Sequence, residues 1–324
     1  MEYKIKTTSF ELKDVFECGQ CFRWNKEEDG SYTGVIHNVV LNVNKCGEEI
    51  TFKCIGKAEV EDKSQAEKIS EIKEISEVEK ISENKVISQA EKNLENEEKE
   101  FEDLISNYFD LKRNYEDIKD KLSKIDDNLK IAVQYGSGIR ILNQDLWEMI
   151  ISFIISANNN IPRIKGIIER MSKKYGNEIV TTNGCYYTFP TPEQLSNANV
   201  QDLRDLGLGF RDIRIYETTK LVLERKVDLK ELHNMNTEDA RNMLLTLSGV
   251  GPKVADCILL FSTLKRFDVF PIDVWVRRVM NDLYIHNPIE EKVDKKEIKK
   301  LADAKFGSIE GLAQQYLFYW KREN

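Results

Sequence analysis

Leu244-Leu-Thr-Leu-Ser-Gly-Val-Gly-Pro-Lys-Val-Ala-Asp-Cys-Ile258 is the stretch whose reading decides the fold. Apolar residues recur three and four apart on both sides of Ser248-Gly-Val-Gly-Pro252, which predicts two helices joined by a tight turn. Gly249 and Gly251 permit positive φ in that turn, and Pro252 suits the first position of the second helix. Free N–H groups in the hairpin and at the helix start would then grip a backbone phosphate without reading sequence. The alternative is a tight αα-hairpin that serves packing alone.

Lys253 falls in the first turn of the second helix, where the helix dipole disfavours a cation. That dipole, together with burial, is expected to lower the lysine from its ordinary value of about 10.4 and to free a nucleophilic amine. A surface lysine beside a phosphate is the plainer reading of the same position. Downstream, Val269-Phe-Pro-Ile-Asp-Val-Trp-Val-Arg-Arg-Val279 places Asp273 just before an apolar-periodic stretch. Its ordinary role there is an N-cap. A carboxylate at the mouth of a cleft can also stabilise positive charge on a sugar, and a lysine and a carboxylate flanking one hairpin favour that joint role.

Working outward, residues 31–55 read as β. Ser31–Ile36 and Val39–Asn44 flank His37-Asn38 as a hairpin turn, and Ile50, Phe52 and Cys54 alternate with polar neighbours. The segment 57–100 is different material, built on the hexapeptides Ile69-Ser-Glu-Ile-Lys-Glu, Ile75-Ser-Glu-Val-Glu-Lys, Ile81-Ser-Glu-Asn-Lys-Val and Ile87-Ser-Gln-Ala-Glu-Lys. A three-residue apolar repeat winds its stripe around an α-helix and cannot stay on one core. Four charged, glycine-free repeats are also too few and too polar for a β-helix. The segment is read as an exposed helical or disordered insert. From Phe101 onward the spacing is helical. The expected architecture is α+β: a small antiparallel β-sheet N-terminal domain (1–56 and 101–137), the charged low-complexity insert (57–100), and a mostly α-helical helix-hairpin-helix body (138–324).

The net charge of −8 lies in that insert and the three residues after it. Residues 57–103 hold 8 basic and 16 acidic side chains of totals of 48 and 56, so the remainder is balanced at 40 of each. A balanced total leaves a nucleic-acid partner open, because a local basic patch matters more. The N-terminus lacks an apolar signal region, and the longest apolar run, Met149–Ile155, is too short to span a bilayer. A cytoplasmic, bacterial-type protein with no membrane partner is expected, and a monomer is the simple expectation. Cys18, Cys21, Cys46, Cys54, Cys185 and Cys257 read as free thiols, since the spacing of the first four fits zinc poorly; neither a metal nor a cofactor is expected.

Several separated motifs resemble the helix-hairpin-helix-Gly/Pro-Asp superfamily of DNA glycosylases, and more closely its 8-oxoguanine glycosylase/lyase branch. They are Gly19-Gln-Cys-Phe-Arg-Trp24, Asn158-Asn-Asn-Ile-Pro-Arg163, Leu206-Gly-Leu-Gly-Phe-Arg211, Gly249-Val-Gly-Pro-Lys-Val-Ala-Asp-Cys257, Pro271-Ile-Asp-Val274 and Gly311-Leu-Ala-Gln-Gln-Tyr-Leu-Phe318. They occur in the family's order and span nearly the whole chain outside the insert. The resemblance implies a base-excision repair enzyme acting on double-stranded DNA that contains oxidised guanine, with associated lyase activity. It implies that Lys253 attacks the sugar C1′ and forms a Schiff base, while Asp273 stabilises the developing charge. The flipped base would lie between Cys257 and Phe318, with Gln314 on its Watson–Crick edge and the Gly19 carbonyl accepting the N7–H that guanine lacks. Asn158, Arg163, Phe210 and Arg211 would fill the gap and contact the orphaned partner base.

Such chemistry requires extrusion of the nucleotide, and an aromatic ring and a polarizable thiol are suitable faces for a flipped base. Read singly, Phe318, Cys257 and Phe210 are equally core residues, Gln314 a solvated helix residue and Gly19 a plain turn. The chain departs from the family pattern at Trp275, where better-known members carry a histidine, at Phe210 in place of tyrosine, and at Cys21 in place of serine. No cysteine follows Cys257, which removes the iron–sulfur cluster of other branches. The competing readings are a glycosylase for alkylated bases, which needs no lysine, and a non-catalytic hairpin that binds DNA structure.

Overall fold

The computed structural model describes residues 1–58 and 83–323, with side chains described outside 59–94. Five antiparallel strands, β1 (Glu2–Lys6), β2 (Trp24–Lys26), β3 (Tyr32–Ile36), β4 (Val39–Cys46) and β5 (Glu49–Lys57), form a sheet in the order β1-β5-β4-β3-β2. The expected hairpin turns at His37, whose φ of 51° lies in the left-handed region. Gly34 pairs with Trp24, and a side chain there would meet the indole, with a Cβ 2.5 Å from its Cδ2. The indole therefore lies flat across the sheet, stacked on Phe16 at 4.2 Å.

A helix at Leu12–Phe16 (α1) and a long helix, Glu83–Tyr108 (α2), cover this sheet through Phe16, Phe101, Ile105, Tyr108 and Phe109. The helix thus starts well before Phe101, and Glu95–Glu100 are exposed on it. The first three hexapeptides lie largely outside the described residues.

The remaining helices enclose a second, larger core. Apart from the single turns Pro192–Leu195 and Val200–Leu203 and the short 3-10 and π segments, they are in chain order α3 (Tyr115–Ser123), α4 (Asp127–Tyr135), α5 (Leu146–Ser156), α6 (Ile161–Tyr175), α7 (Asp212–Leu223), α8 (Thr237–Leu244), α9 (Pro252–Phe261), α10 (Val274–Met280), α11 (Lys295–Phe306) and α12 (Glu310–Glu323). The almost wholly apolar α5 is buried along its length, as a central helix must be. Leu122, Leu129, Ala132 and Val133 of α3 and α4 join this larger core rather than that of the sheet. Leu142 still packs on the sheet core while Cys18 and Phe22 belong to the larger one, so the two cores interleave along the chain, and the α4 face meets α12.

The helical expectation beyond Phe101 also needs correcting. Glu178–Thr181 and Gly184–Tyr187 form a two-stranded hairpin (β6, β7) that lays Ile179 against Val35, Val40 and Ala58 of the sheet. Its signal was in the sequence: Asn183-Gly184 between β-branched and aromatic residues is a strong hairpin turn. Among the described residues no helix is long and apolar enough to cross a membrane.

Candidate active site

The chain does turn sharply between α8 and α9, but the two glycines do different work. Gly249 has φ +86°, and a Cβ there would stand 2.8 Å from Arg214 Cδ and 3.2 Å from Ile154 Cγ2. Gly251 has φ −97° and ψ 179°, so the expectation of positive φ holds for Gly249 alone. Gly251 is instead the N-cap of α9, with no side-chain cap and nothing within 4 Å of where its Cβ would be. The first turn of α9 is left open for an approaching acceptor. Across the hairpin, Arg241 donates to Asp256 at 2.7 Å, which braces α8 against α9.

Lys253 points from that first turn into a small pocket of about 60 Å³, lined among others by Gly19, Cys257, Asp273, Gln314 and Phe318. The sequence places these residues in four separate motifs; the fold brings them to one cavity. Lys253 Nζ stands 5.5 Å from the centroid of the Phe153 ring. The expected depression of its pKa is not what the surroundings produce. The Cys257 sulfur raises it, burial opposes, Asp273 raises it further, and the net direction is upward. Burial pushes the Cys257 thiol up to about 11. Two groups together outweigh burial: Cys257, one turn on in the same helix, and the carboxylate facing the lysine from α10.

Asp273 is the N-cap of α10, its Oδ1 accepting from the Val276 N–H at 2.8 Å. Cap and pocket roles coexist: one oxygen is committed to the helix while the side chain lines the cavity. Gln314 is buried on α12, and its Oε1 has no hydrogen-bond partner. An unpaired buried amide oxygen is costly, typically about 1–3 kcal/mol, and points to an absent donor. Phe318, one turn on, forms the adjacent wall.

The opposite wall is the loop carrying Gly19, which adopts φ +92°. Two glutamines hold that loop, neither singled out by the sequence reading. Gln20 is fully buried; its Nε2 donates to the carbonyls of Val15 (2.8 Å) and Arg140 (2.7 Å), and its Oε1 accepts from Leu142 N. Gln315 Nε2 donates to the Cys18 carbonyl at 2.7 Å, tying the loop to α12. Only contacts spanning 297 residues of sequence reveal that role. Cys18 and Cys21 are buried free thiols turned to nearby carbonyls.

Asn158, Arg163, Phe210 and Arg211 gather apart from the pocket, between α5–α6 and the start of α7, and they divide into two kinds. Asn158 is exposed with φ 50°, Phe210 is 53% exposed, and Arg163 is exposed while donating to the Gly207 carbonyl at 3.2 Å. Arg211 is only 2% exposed. Its guanidinium donates to the carbonyls of Ala157, Asn158 and Leu208 and lies 4.2 Å from the Phe210 ring centroid. In this state Arg211 props the Asn158 loop and Phe210 and does not project outward. Trp275, 54% exposed at the start of α10, lies under Arg278 at 5.2 Å.

Larger clefts exist, including one of about 340 Å³ lined by His37, Trp147, Glu148 and Phe189 and one of about 390 Å³ that Lys253 also lines, but Gln314 lines neither. Among the described residues no group of His, Cys, Asp or Glu is arranged to hold a metal ion.

Comparison with known proteins gives a consistent result. Residues 2–150 match the family model for the 8-oxoguanine DNA glycosylase N-terminal domain, and residues 151–305 match the HhH-GPD superfamily base excision DNA repair protein model. A probable N-glycosylase/DNA lyase of Methanothermobacter thermautotrophicus is 32% identical over 61% of this chain and 68% of its own. The N-glycosylase/DNA lyase of Saccharomyces cerevisiae is 36% identical over 56% of each chain, so this chain spans little more than half of that relative. The Clostridium acetobutylicum 8-oxoguanine glycosylase/lyase, solved with double-stranded DNA containing cytosine opposite 8-oxoG, has 36% identity and a TM-score of 0.80. That match covers 100% of this chain and 98% of the other.

Proposed function

Because the chain belongs to the 8-oxoguanine glycosylase/DNA lyase family of the HhH-GPD superfamily, we propose that Lys253, Asp273, Gln314 and Gly19 carry that chemistry here. The protein is a base-excision repair glycosylase with lyase activity. Its substrate is duplex DNA containing 8-oxoguanine.

In this assignment the open hairpin at Gly249–Gly251 holds a DNA phosphate, and the lesion nucleotide swings out of the stack into the pocket. A cavity of about 60 Å³ is far below the roughly 300–1,000 Å³ of ordinary ligand sites, so Phe318 and Gln314 must move to admit a purine. The base then lies between the Phe318 ring and the Cys257 sulfur. Gln314 Oε1 gains the donor it lacks, and the Gly19 carbonyl accepts the N7–H that distinguishes the lesion from guanine.

Lys253 must shed a proton before it attacks, because its resting form is an ammonium. The neutral Nζ forms a bond to C1′ as the C1′–N9 bond breaks, and the electron pair leaves with the base, which takes up a proton. Asp273 stabilises the positive charge that develops on the sugar. Opening of the sugar ring yields the imine, loss of a C2′ proton follows, and cleavage of the C3′–O bond releases the 3′ phosphate. Asn158, Arg163 and Phe210 fill the gap left in the duplex, with Arg211 supporting them.

The observation that carries this reading is the convergence of one lysine, one carboxylate and one orphaned amide on a single pocket. Borohydride reduction during reaction with an 8-oxoguanine duplex tests it. The wild type should trap a covalent protein–DNA complex, and Lys253→Gln should bind the DNA without trapping or excising. Retained trapping by Lys253→Gln would remove the nucleophile assignment.

A further inference from the structure

We infer that Arg322 is a positioning residue for the base slot, setting the gap between the Phe318 ring and the Gly19 backbone. Arg322 stands one turn after Phe318 on α12, so the two side chains share a face. Its guanidinium carbon lies 5.6 Å from the Phe318 ring centroid and equally far from that of Tyr319. Its Nη2 donates to the Glu17 carbonyl at 2.6 Å, while the Glu323 carboxylate accepts from Nε at 3.2 Å and from Nη2 at 3.0 Å.

The remaining arm of the fork reaches Gly19 itself. A Cβ built on Gly19 would stand 3.3 Å from Arg322 Nη1 and 3.7 Å from Phe318 Cε1. One planar group therefore touches both walls of the slot: the ring on one side and the Glu17–Gly19 loop on the other. Gln315 ties the same loop to the same helix at Cys18, so the loop is held at two successive carbonyls from α12. Glu17 and Cys18 present their carbonyls to α12, and Gly19, the next residue along, lines the pocket. A flexible point charge could satisfy Glu17, but only a flat guanidinium also supports the Phe318 face.

The inference rests on the proposed base slot, and its test separates the two. Base excision needs the slot, whereas strand cleavage at a preformed abasic site needs Lys253 but no base. Arg322→Ala should slow single-turnover release of 8-oxoguanine about five- to tenfold, the loss of one cation–π support. Cleavage of an abasic duplex, affinity for an abasic-site analogue and melting temperature should stay at wild-type values. Arg322→Lys keeps the charge and a donor for Glu17 but loses the plane, and should fall between the two. If Arg322→Ala folds poorly, Arg322→Lys alone must show excision reduced with abasic cleavage intact. Equal losses in both reactions, or no loss in excision, would overturn the positioning role. A wild type that cleaves neither DNA would instead overturn the proposed function.

Discussion

Replacing Asp273 in two ways separates its structural and chemical duties. Its Oδ1 caps α10 through the Val276 N–H at 2.8 Å, and asparagine is as good a cap as aspartate. Asp273→Asn should therefore keep the helix end, whereas Asp273→Ala should lose roughly 1 kcal/mol. In a protein of this size that loss is a fall of about 1–2 °C in melting temperature. The charge is removed in both variants. A carboxylate about 4 Å from a developing cation, at an effective dielectric of about 20, contributes about 4 kcal/mol, or three powers of ten in rate. Screening by bound DNA reduces this, so a loss of about 10²–10³-fold in single-turnover excision is expected. A second effect runs the other way. Asp273 helps to hold the Lys253 ammonium above its ordinary range, so Asp273→Asn lets the amine lose its proton at lower pH. The rise in rate with pH that follows loss of the lysine proton should move toward acid even as the maximum falls. Melting curves and single-turnover rates from pH 6 to 10 on both variants decide the matter. Wild-type rates in Asp273→Asn, at equal melting temperature, would reduce Asp273 to a cap and sink the electrostatic argument.

Gln314→Ala and Phe318→Ala should impair processing of the lesion more than binding of an abasic-site analogue, because both side chains line the pocket and Gln314 Oε1 awaits a donor; equal losses on the two DNAs would mark them as structural. Gly249→Ala combines a φ of +86° with a contact of 2.8 Å to Arg214, and should lower stability by about 1–3 kcal/mol. Gly251→Ala meets open space at φ −97° and loses only the N-cap preference of glycine over alanine, so it should cost less stability than Gly249→Ala while weakening DNA affinity; the reverse ranking of the two variants would refute the hairpin geometry. Burial pushes the Glu148 carboxyl up to about 7 against the opposing charge of Arg23. The folded state then holds that proton more tightly than the unfolded chain, so stability is lost as pH rises from the ordinary carboxylate value toward 7. Glu148→Gln should flatten the fall in melting temperature between pH 5 and 8, and an unchanged slope would exclude the contribution.

What the sequence determined by itself was local. The hairpin, the Pro252 helix start, the Asp273 cap and the β3–β4 turn follow from backbone preferences of a few adjacent residues, and each stands in the structure where its residue types required it. The hairpin at Asn183-Gly184 is equally local, a turn signal set between two stretches of helical spacing. The tertiary structure decided everything that depends on distant segments meeting. Lys253 is raised first by Cys257, one turn on in its own helix, and then by Asp273, which only the tertiary fold brings to face it. Arg211, motif-matched as a base contact, is buried because three loop carbonyls claim its donors. Gln20, Gln315 and Arg322 shape the pocket only because α12 returns to the Glu17–Cys21 loop, and no period or propensity encodes a contact made across nearly the whole chain.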